Sequence, residues 1–222
     1  IGERAFGQCS KLASIVVNDG NTVFDSRDNC NAIIQTASNT LICGSTETVI
    51  PDSVIRIGDS AFTDRTGITS IEIPNSVRVI GKKAFEYCYG LTSVKLSDNI
   101  LNLESSTFYG CEKLKSIEIP NKVVRIGNHA FYGCKSLASI IIPKSTKNIE
   151  QYAFCLCTNL SQVTCHATEP PICEIKVFEQ VPRLSCKLIA SIRSRNDTTQ
   201  KIKNLIQCSN GLGNLIDTLG QQ

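Results

Sequence analysis

One interval constrains this chain more than anything else in it: Phe62, Phe85, Phe108, Phe131 and Phe154 recur every 23 residues, with Phe6 and Phe178 as outlying members of the series. Around each phenylalanine the same letters return, giving the consensus IGxxAFxxCxxLxSIxIPxxV. A fixed period of this length is the mark of a repeat architecture, in which one short unit stacks on copies of itself. No single unit can bury its own apolar face, so stability has to come from neighbours.

Each column of the repeat has a physical reading. Ile71, Val94, Ile117, Ile140 and Val163, followed two residues later by Ile73, Leu96, Ile119 and Ile142, alternate as a short strand buried on one face does. Strands that return in the same direction must stack in parallel, roughly 4.8 Å apart. Pro74, Pro120 and Pro143 end the strand, because proline has no amide hydrogen for a ladder. The return path carries Val77, Ile80, Ala84 and Phe85, and again Val123, Ile126, Ala130 and Phe131, at spacings that predict a short helical or 3₁₀ segment. Gly58, Gly81 and Gly127 precede it, where a tight bend or a close backbone approach favours a residue without Cβ. The predicted fold is an α/β solenoid: a leucine-rich repeat right-handed superhelix with one short parallel strand per repeat, an inserted β-hairpin and a small C-terminal cap.

Two stretches break the register. Between Phe6 and Phe62 lie two repeats plus ten residues, and NAIIQT and TLICG flank a turn at Ala37, Ser38 and Asn39, which predicts a hairpin protruding from the solenoid over about residues 20–46. The array is expected over residues 1–165, with 166–222 a degenerate last repeat and cap. There Pro170 and Pro171 interrupt, Phe178 comes one residue late, and Leu212, Leu215, Ile216 and Leu219 change to the spacing of a short amphipathic helix, after a turn around Ile202, Leu205 and Ile206.

Composition excludes several classes. A 41% hydrophobic, 19% charged chain is that of a folded domain, and a net charge of +3 without runs of like sign offers no footprint for nucleic acid. No stretch approaches eighteen consecutive apolar residues, so membrane insertion is not expected, and a monomeric array is. Ile1 to Gln8 form no targeting signal, and a start in mid-repeat without Met places the natural N-terminus upstream.

The residues that could carry chemistry are few. Cys88, Cys111, Cys134 and Cys157 form a column, with Cys9 in register and Arg65 in the slot between. Buried free thiols are the expected state, and disulfides between stacked columns the alternative. Cys155, Cys157, Cys165, His166 and Cys173 are the one cluster that suggests metal, but without the paired CxxC spacing of structural zinc, so no metal or cofactor is predicted. Cys30, Cys43, Cys186 and Cys208 fall outside the column and leave room for one or two disulfides in an exported protein. His129 and His166 lack a nucleophile motif. Glu72 and Glu118 are the candidate carboxylates for a glycosidase, about 9.6 Å apart by strand spacing. Lys95 sits between them, and the alternating signs read as lateral compensation.

The candidate binding surface comprises the exposed sheet face, Ser70, Ser93, Ser116 and Ser139 with Glu72, Lys95 and Glu118, together with Tyr109 and Tyr132, which with Tyr87 and Tyr89 would make an aromatic edge. Packing between neighbouring turns is the alternative account of these columns.

The consensus resembles the BspA-like, or Treponema-type, leucine-rich repeat family of bacterial surface and secreted proteins, over roughly Ile1 to Cys165, and NTVFDSRDNCNAIIQTASNTLICG resembles a hairpin-bearing repeat of gut Bacteroidetes members. Ala167, Thr168, Pro170 and Pro171 resemble the family's usual exit, but the aromatic terminal segment expected after it is missing. The resemblance implies a protein at the extracellular or bacterial cell surface, adhesins for host matrix or plasma proteins among its relatives, and no catalytic residues. The function expected is therefore non-catalytic recognition of a protein or glycan through the sheet face, the tyrosine edge or the hairpin. The alternatives are a structural spacer without its own ligand and a carbohydrate-active enzyme.

Overall fold

The computed structural model describes residues 5–182, apart from 168 and 170, and the backbone of 187–190. Strands come in chain order as β1 (Phe24–Asp25), β2 (Ala32–Gln35), β3 (Thr40–Gly44), β4 (Arg56–Ile57), β5 (Ser70–Glu72), β6 (Val79–Ile80), β7 (Ser93–Lys95), β8 (Asn102–Leu103), β9 (Ser116–Ile117), β10 (Arg125–Ile126), β11 (Ser139–Ile142), β12 (Asn148–Ile149), β13 (Gln162–Cys165), β14 (Ile172–Cys173) and β15 (Lys187–Ala190). The result is a solenoid with the phenylalanines in one row. Phe62, Phe85, Phe108, Phe131, Phe154 and Phe178 stack with centroids 5.0 to 5.5 Å apart and planes within 12°. The first five are wholly buried and Phe178 nearly so. Each of the four inner rings meets another on either side, so the row is one continuous core and not a set of separate ones.

Parallel pairing holds the strands that the IxI alternation predicted. Ser70 pairs with Ser93 and Ser93 with Ser116, and further along Ile140 pairs with Val163 and Val163 with Leu188. The return path corrects the prediction of one strand per repeat. Arg56–Ile57, Val79–Ile80, Asn102–Leu103, Arg125–Ile126, Asn148–Ile149 and Ile172–Cys173 are short strands of their own, also parallel where they pair with one another, so each turn of the solenoid carries two strands and no helical return. Gly81 and Gly127 sit where repeats touch: a Cβ on Gly81 would lie 2.6 Å from the Asp59 amide nitrogen, and one on Gly127 2.8 Å from the Leu103 carbonyl oxygen.

The turn through the phenylalanine stays non-helical for a reason visible in its hydrogen bonds. In one repeat Lys83, Phe85 and Tyr87 donate their amides sideways, to the carbonyls of Ser105, Thr107 and Tyr109 in the next, while Glu86 and Cys88 donate back within their own turn. A helix would need every amide along its own axis. Two residues per repeat adopt left-handed backbone to make this possible. Ser60, Lys83, Ser106, His129, Tyr152 and Lys176, two before each Phe, have φ of +56 to +58°, and Asp64, Tyr87, Gly110, Gly133, Leu156 and Gln180, two after it, +59 to +71°. For a side-chain-bearing residue that conformation costs about 1–2 kcal/mol, which the axial hydrogen bonds of a buried turn offset.

The insert forms the predicted hairpin, β2 against β3 around Thr36–Ser38 with Asn39 left-handed, but it does not protrude. β3 pairs in parallel with β4, which joins the hairpin to the return sheet. Its alternation serves two cores: Ala32, Ile34 and Leu41 face the main one, while Ile33 and Cys43 face a satellite cluster with Ile15, Phe6, Leu12, Val17 and Phe24. Phe6 therefore belongs to that cluster and not to the row. Past Cys165 both sheets continue, through β14 and β15. The helix predicted around Leu212 to Leu219, the turn near Ile202, Cys186 and Cys208 lie outside the described residues.

Candidate functional site

The sheet face presents what its columns predict. Ser70, Ser93, Ser116 and Ser139 are exposed, and Lys95 on β7 forms an ion pair with Glu72 on β5. Glu118 is exposed and has no ion pair among the described residues. Beyond Glu118 the same column reaches Ile141, which is 50% exposed. The signal for it was present in the run Ile140 to Ile142, where alternation forces the middle isoleucine outward. Two depressions, of about 360 and 570 Å³, run along this face and share Ser116, Ile117, Glu118 and Asn121. The first takes in Asn75 and Lys95, the second Ile141 and His166.

A second surface gathers all five tyrosines of the chain. Tyr109 and Tyr132 stack with centroids 4.8 Å apart and planes 4° from parallel. Tyr87 meets Tyr109 edge-on at 5.3 Å, and Tyr89, 42% exposed, tilts beside Tyr87 at 5.7 Å. At the other end His129 lies 5.2 Å from Tyr132 and stacks on Tyr152 at 4.9 Å, and the Lys176 ammonium sits 5.6 Å from the Tyr152 centroid, within cation–π range. Tyr152 and His129 were not singled out with the tyrosine edge. Both occupy the left-handed position two before a Phe; His129 lies 6.0 Å from Tyr109, the residue just after Phe in the preceding repeat, and Tyr152 joins through His129.

Burial shapes the titration of this strip. It raises Tyr89, Tyr109 and Tyr132, and Tyr109, with the neighbouring phenols of Tyr87 and Tyr132 added, is pushed up to about 12. Burial lowers His129, which favours the neutral ring at pH 7. The hydroxyls of Tyr89, Tyr109 and Tyr132 are therefore donors throughout the physiological range.

Cysteine chemistry is structural in the column. The thiols of Cys88, Cys111, Cys134 and Cys157 are free, fully buried and donate to the carbonyls of Phe62, Phe85, Phe108 and Phe131 at 3.1 to 3.3 Å. Cys157 is thereby taken from the sequence's metal cluster, and Cys173 is disulfide-bonded. Among the described residues no three His, Cys, Asp or Glu side chains converge on a metal position. Arg65, in the column's empty slot, is 2% exposed and donates to the carbonyls of Gly44, Phe6, Cys9 and Thr63 and to the Cys43 sulfur.

Residues 33–161 match the model of the BspA type leucine-rich repeat region, in six copies. Among solved structures, a leucine-rich cell surface protein of Faecalibacterium prausnitzii is 34% identical over 74% of this chain and 45% of its own, with a TM-score of 0.67. The pneumococcal vaccine antigen PcpA shares the fold at 17% identity over 94% of this chain and 50% of its own, with a TM-score of 0.70. A leucine-rich repeat protein of Eubacterium ventriosum does so at 18% identity over 88% and 57%, with a TM-score of 0.63. The chain thus spans about half the length of these solved proteins. No functionally curated protein matches it.

Proposed function

Because the chain belongs to the BspA-type leucine-rich repeat family, whose match covers residues 33–161, we propose that it is a non-catalytic recognition module of the bacterial cell surface that binds a protein or glycan ligand. The observation that carries this reading is the gathering of all five tyrosines, with His129, into one partly exposed strip. Aromatic side chains with one apolar and one wet end are the anchors that binding surfaces favour. The sheet face with its two depressions is the secondary contact, and the hairpin contributes by closing the core.

The carboxylate pair Glu72 and Glu118 does not favour an enzyme, since Glu72 is engaged by Lys95. Surface exposure of the family fits a disulfide at Cys173, a bond that persists in oxidising compartments. An array of matrix proteins and glycans, probed with the intact chain and with the Tyr109→Ser/Tyr132→Ser variant, tests the reading. Binding by the intact chain and its loss in the variant are expected. A folded chain that binds nothing on the array would make it a spacer, and binding indifferent to the two serines would move the site off the strip.

A further inference from the structure

We infer that the sheet face takes a polypeptide segment bearing arginine or lysine, with the cation on the carboxylate of Glu118 and its aliphatic stem on Ile141. This deepens the recognition reading, rests on it, and gives its secondary contact a chemistry. Glu118 lines both depressions of this face and has no ion pair among the described residues. Its column explains why it stands alone. Glu72 and Lys95 neutralise one another, Glu118 comes next, and the column then changes to Ile141, half exposed and without a charge to offer in return. A side chain that is apolar along its length and charged at its tip fits that step from carboxylate to isoleucine.

The charge of the two depressions calls for the same occupant. Lys95 is the one lysine or arginine among their lining residues, and Glu72 already engages it. Against it stand two lining carboxylates, Glu118 and Asp98. Asp98 accepts from the Asn75 side-chain amide, a neutral donor that leaves the carboxylate's charge in place, and Lys122 in the next turn donates to Asn99. Uncompensated negative charge therefore lies on this face of a chain whose net charge is +3, so attraction of a cation is local to it and not a property of the whole surface. No Phe, Tyr or Trp lines either depression, so a sugar ring finds no aromatic face to lie on. The hydroxyls of Ser93, Ser116 and Ser139 and the amide of Asn121 supply donors and acceptors for the peptide groups of an extended segment.

The full chain is titrated calorimetrically with poly-L-arginine, with poly-L-glutamate and with chitosan oligosaccharide, whose amines sit on sugar rings and which therefore separates a basic polypeptide from a basic glycan. Saturable binding of poly-L-arginine alone is expected, weakened by salt. Glu118→Gln is expected to weaken it about tenfold, the worth of one charge-assisted hydrogen bond, and Ile141→Ser about threefold, that of a lost aliphatic contact. Both residues are exposed, so both variants keep the fold. Asp19→Asn, which removes one exposed carboxylate outside the depressions, is expected to leave binding unchanged. Binding of poly-L-glutamate or chitosan in place of poly-L-arginine, no binding of any probe, unchanged binding in Glu118→Gln, or an equal loss in Asp19→Asn each overturns the proposal. If an array ligand is bound and then lost in Tyr109→Ser/Tyr132→Ser while poly-L-arginine is not bound, this partner assignment fails and the recognition reading stands. A chain that binds nothing on the array and none of the probes fails both.

Discussion

The thiol of Cys111 donates a hydrogen bond of 3.2 Å to the carbonyl oxygen of Phe85, 26 residues back in the preceding repeat. That bond joins the two most regular columns of the sequence, so the cysteine is a bracket between repeats and not a reactive group. Burial pushes the column thiols up, Cys88 to about 12, so they carry no thiolate at neutral pH. Iodoacetamide is expected to label exposed Cys9 in the native chain and to spare Cys88, Cys111, Cys134 and Cys157 until denaturant is added, as read by peptide mass mapping. Cys111→Ala should cost about 0.5–1.5 kcal/mol for the lost hydrogen bond, since the Phe85 carbonyl still accepts from the Cys88 amide. Labelling of a column thiol at the rate of Cys9 would contradict the arrangement.

Phe108 stands inside the row, stacked at 5.4 Å on Phe85 and 5.5 Å on Phe131. Phe108→Ala is expected to cost about 3–5 kcal/mol, as for other buried phenylalanines. Because each repeat shields the next, loss should spread beyond one turn. Hydrogen exchange should show weakened protection at Phe85 and Phe131 as well as at the mutated repeat, and protection lost only at residue 108 would argue for independent cores.

Arg65 replaces the cysteine of its column, and restoring the consensus should not help. A thiol at 65 cannot reach what the guanidinium satisfies, the Gly44, Phe6 and Cys9 carbonyls. Arg65→Cys is expected to destabilise by at least about 1–3 kcal/mol, the cost of one stranded buried acceptor, and to free the turn around Phe6 to Cys9 for proteolysis. Unchanged resistance to limited proteolysis would show that the guanidinium is dispensable there.

Alkaline pH should loosen the strip with a definite sign. Tyr109 titrates near 12 in the folded chain against 10 as a model phenol, so the native state holds its proton where the unfolded state has lost it. Its contribution to stability is fully present below pH 10 and is lost as pH rises through about 12. Denaturation midpoints from pH 8 to 12 should fall above 10, less steeply in Tyr109→Phe. Equal slopes would mean that Tyr109 is not the group responsible.

Gly133 and Leu156 occupy the same left-handed position in adjacent repeats, at φ +71° and +60°. A Cβ on Gly133 would meet only the Gly110 Cα, at 3.8 Å, so Gly133→Ala adds backbone strain without a clash and should cost about 1–2 kcal/mol. Leu156→Gly removes that strain and is expected to be neutral or stabilising by up to about 1 kcal/mol. For a chain of this size each kcal/mol moves Tm by about 2–4 °C. Calorimetry that finds both changes destabilising to the same degree would remove the argument from backbone strain.

Much of this protein was legible in its letters because stacking is a translation: whatever recurs every 23 residues must line up, so the phenylalanine row, the serine face and the Glu72–Lys95 pair could be read from position alone. The hairpin at Asn39 was legible too, but its role was not, since Ile33 and Ile34 look alike in sequence and face different cores. The tyrosine strip was half visible. Tyr109 and Tyr132 share a column, whereas Tyr152 and His129 join them from another column through the shape of the turn.

The amino-acid order alone determined which residues are equivalent, and with that the parallel stacking, the buried columns and the exposed ones. Only the tertiary structure decided where each amide points. Lys83, Phe85 and Tyr87 hand their hydrogens to the next repeat instead of to their own turn, which turned an expected helix into left-handed corners and a second strand. The choice lies with the neighbour: an axial hydrogen bond exists only when another repeat is there to accept it, and no periodicity within one repeat can encode that.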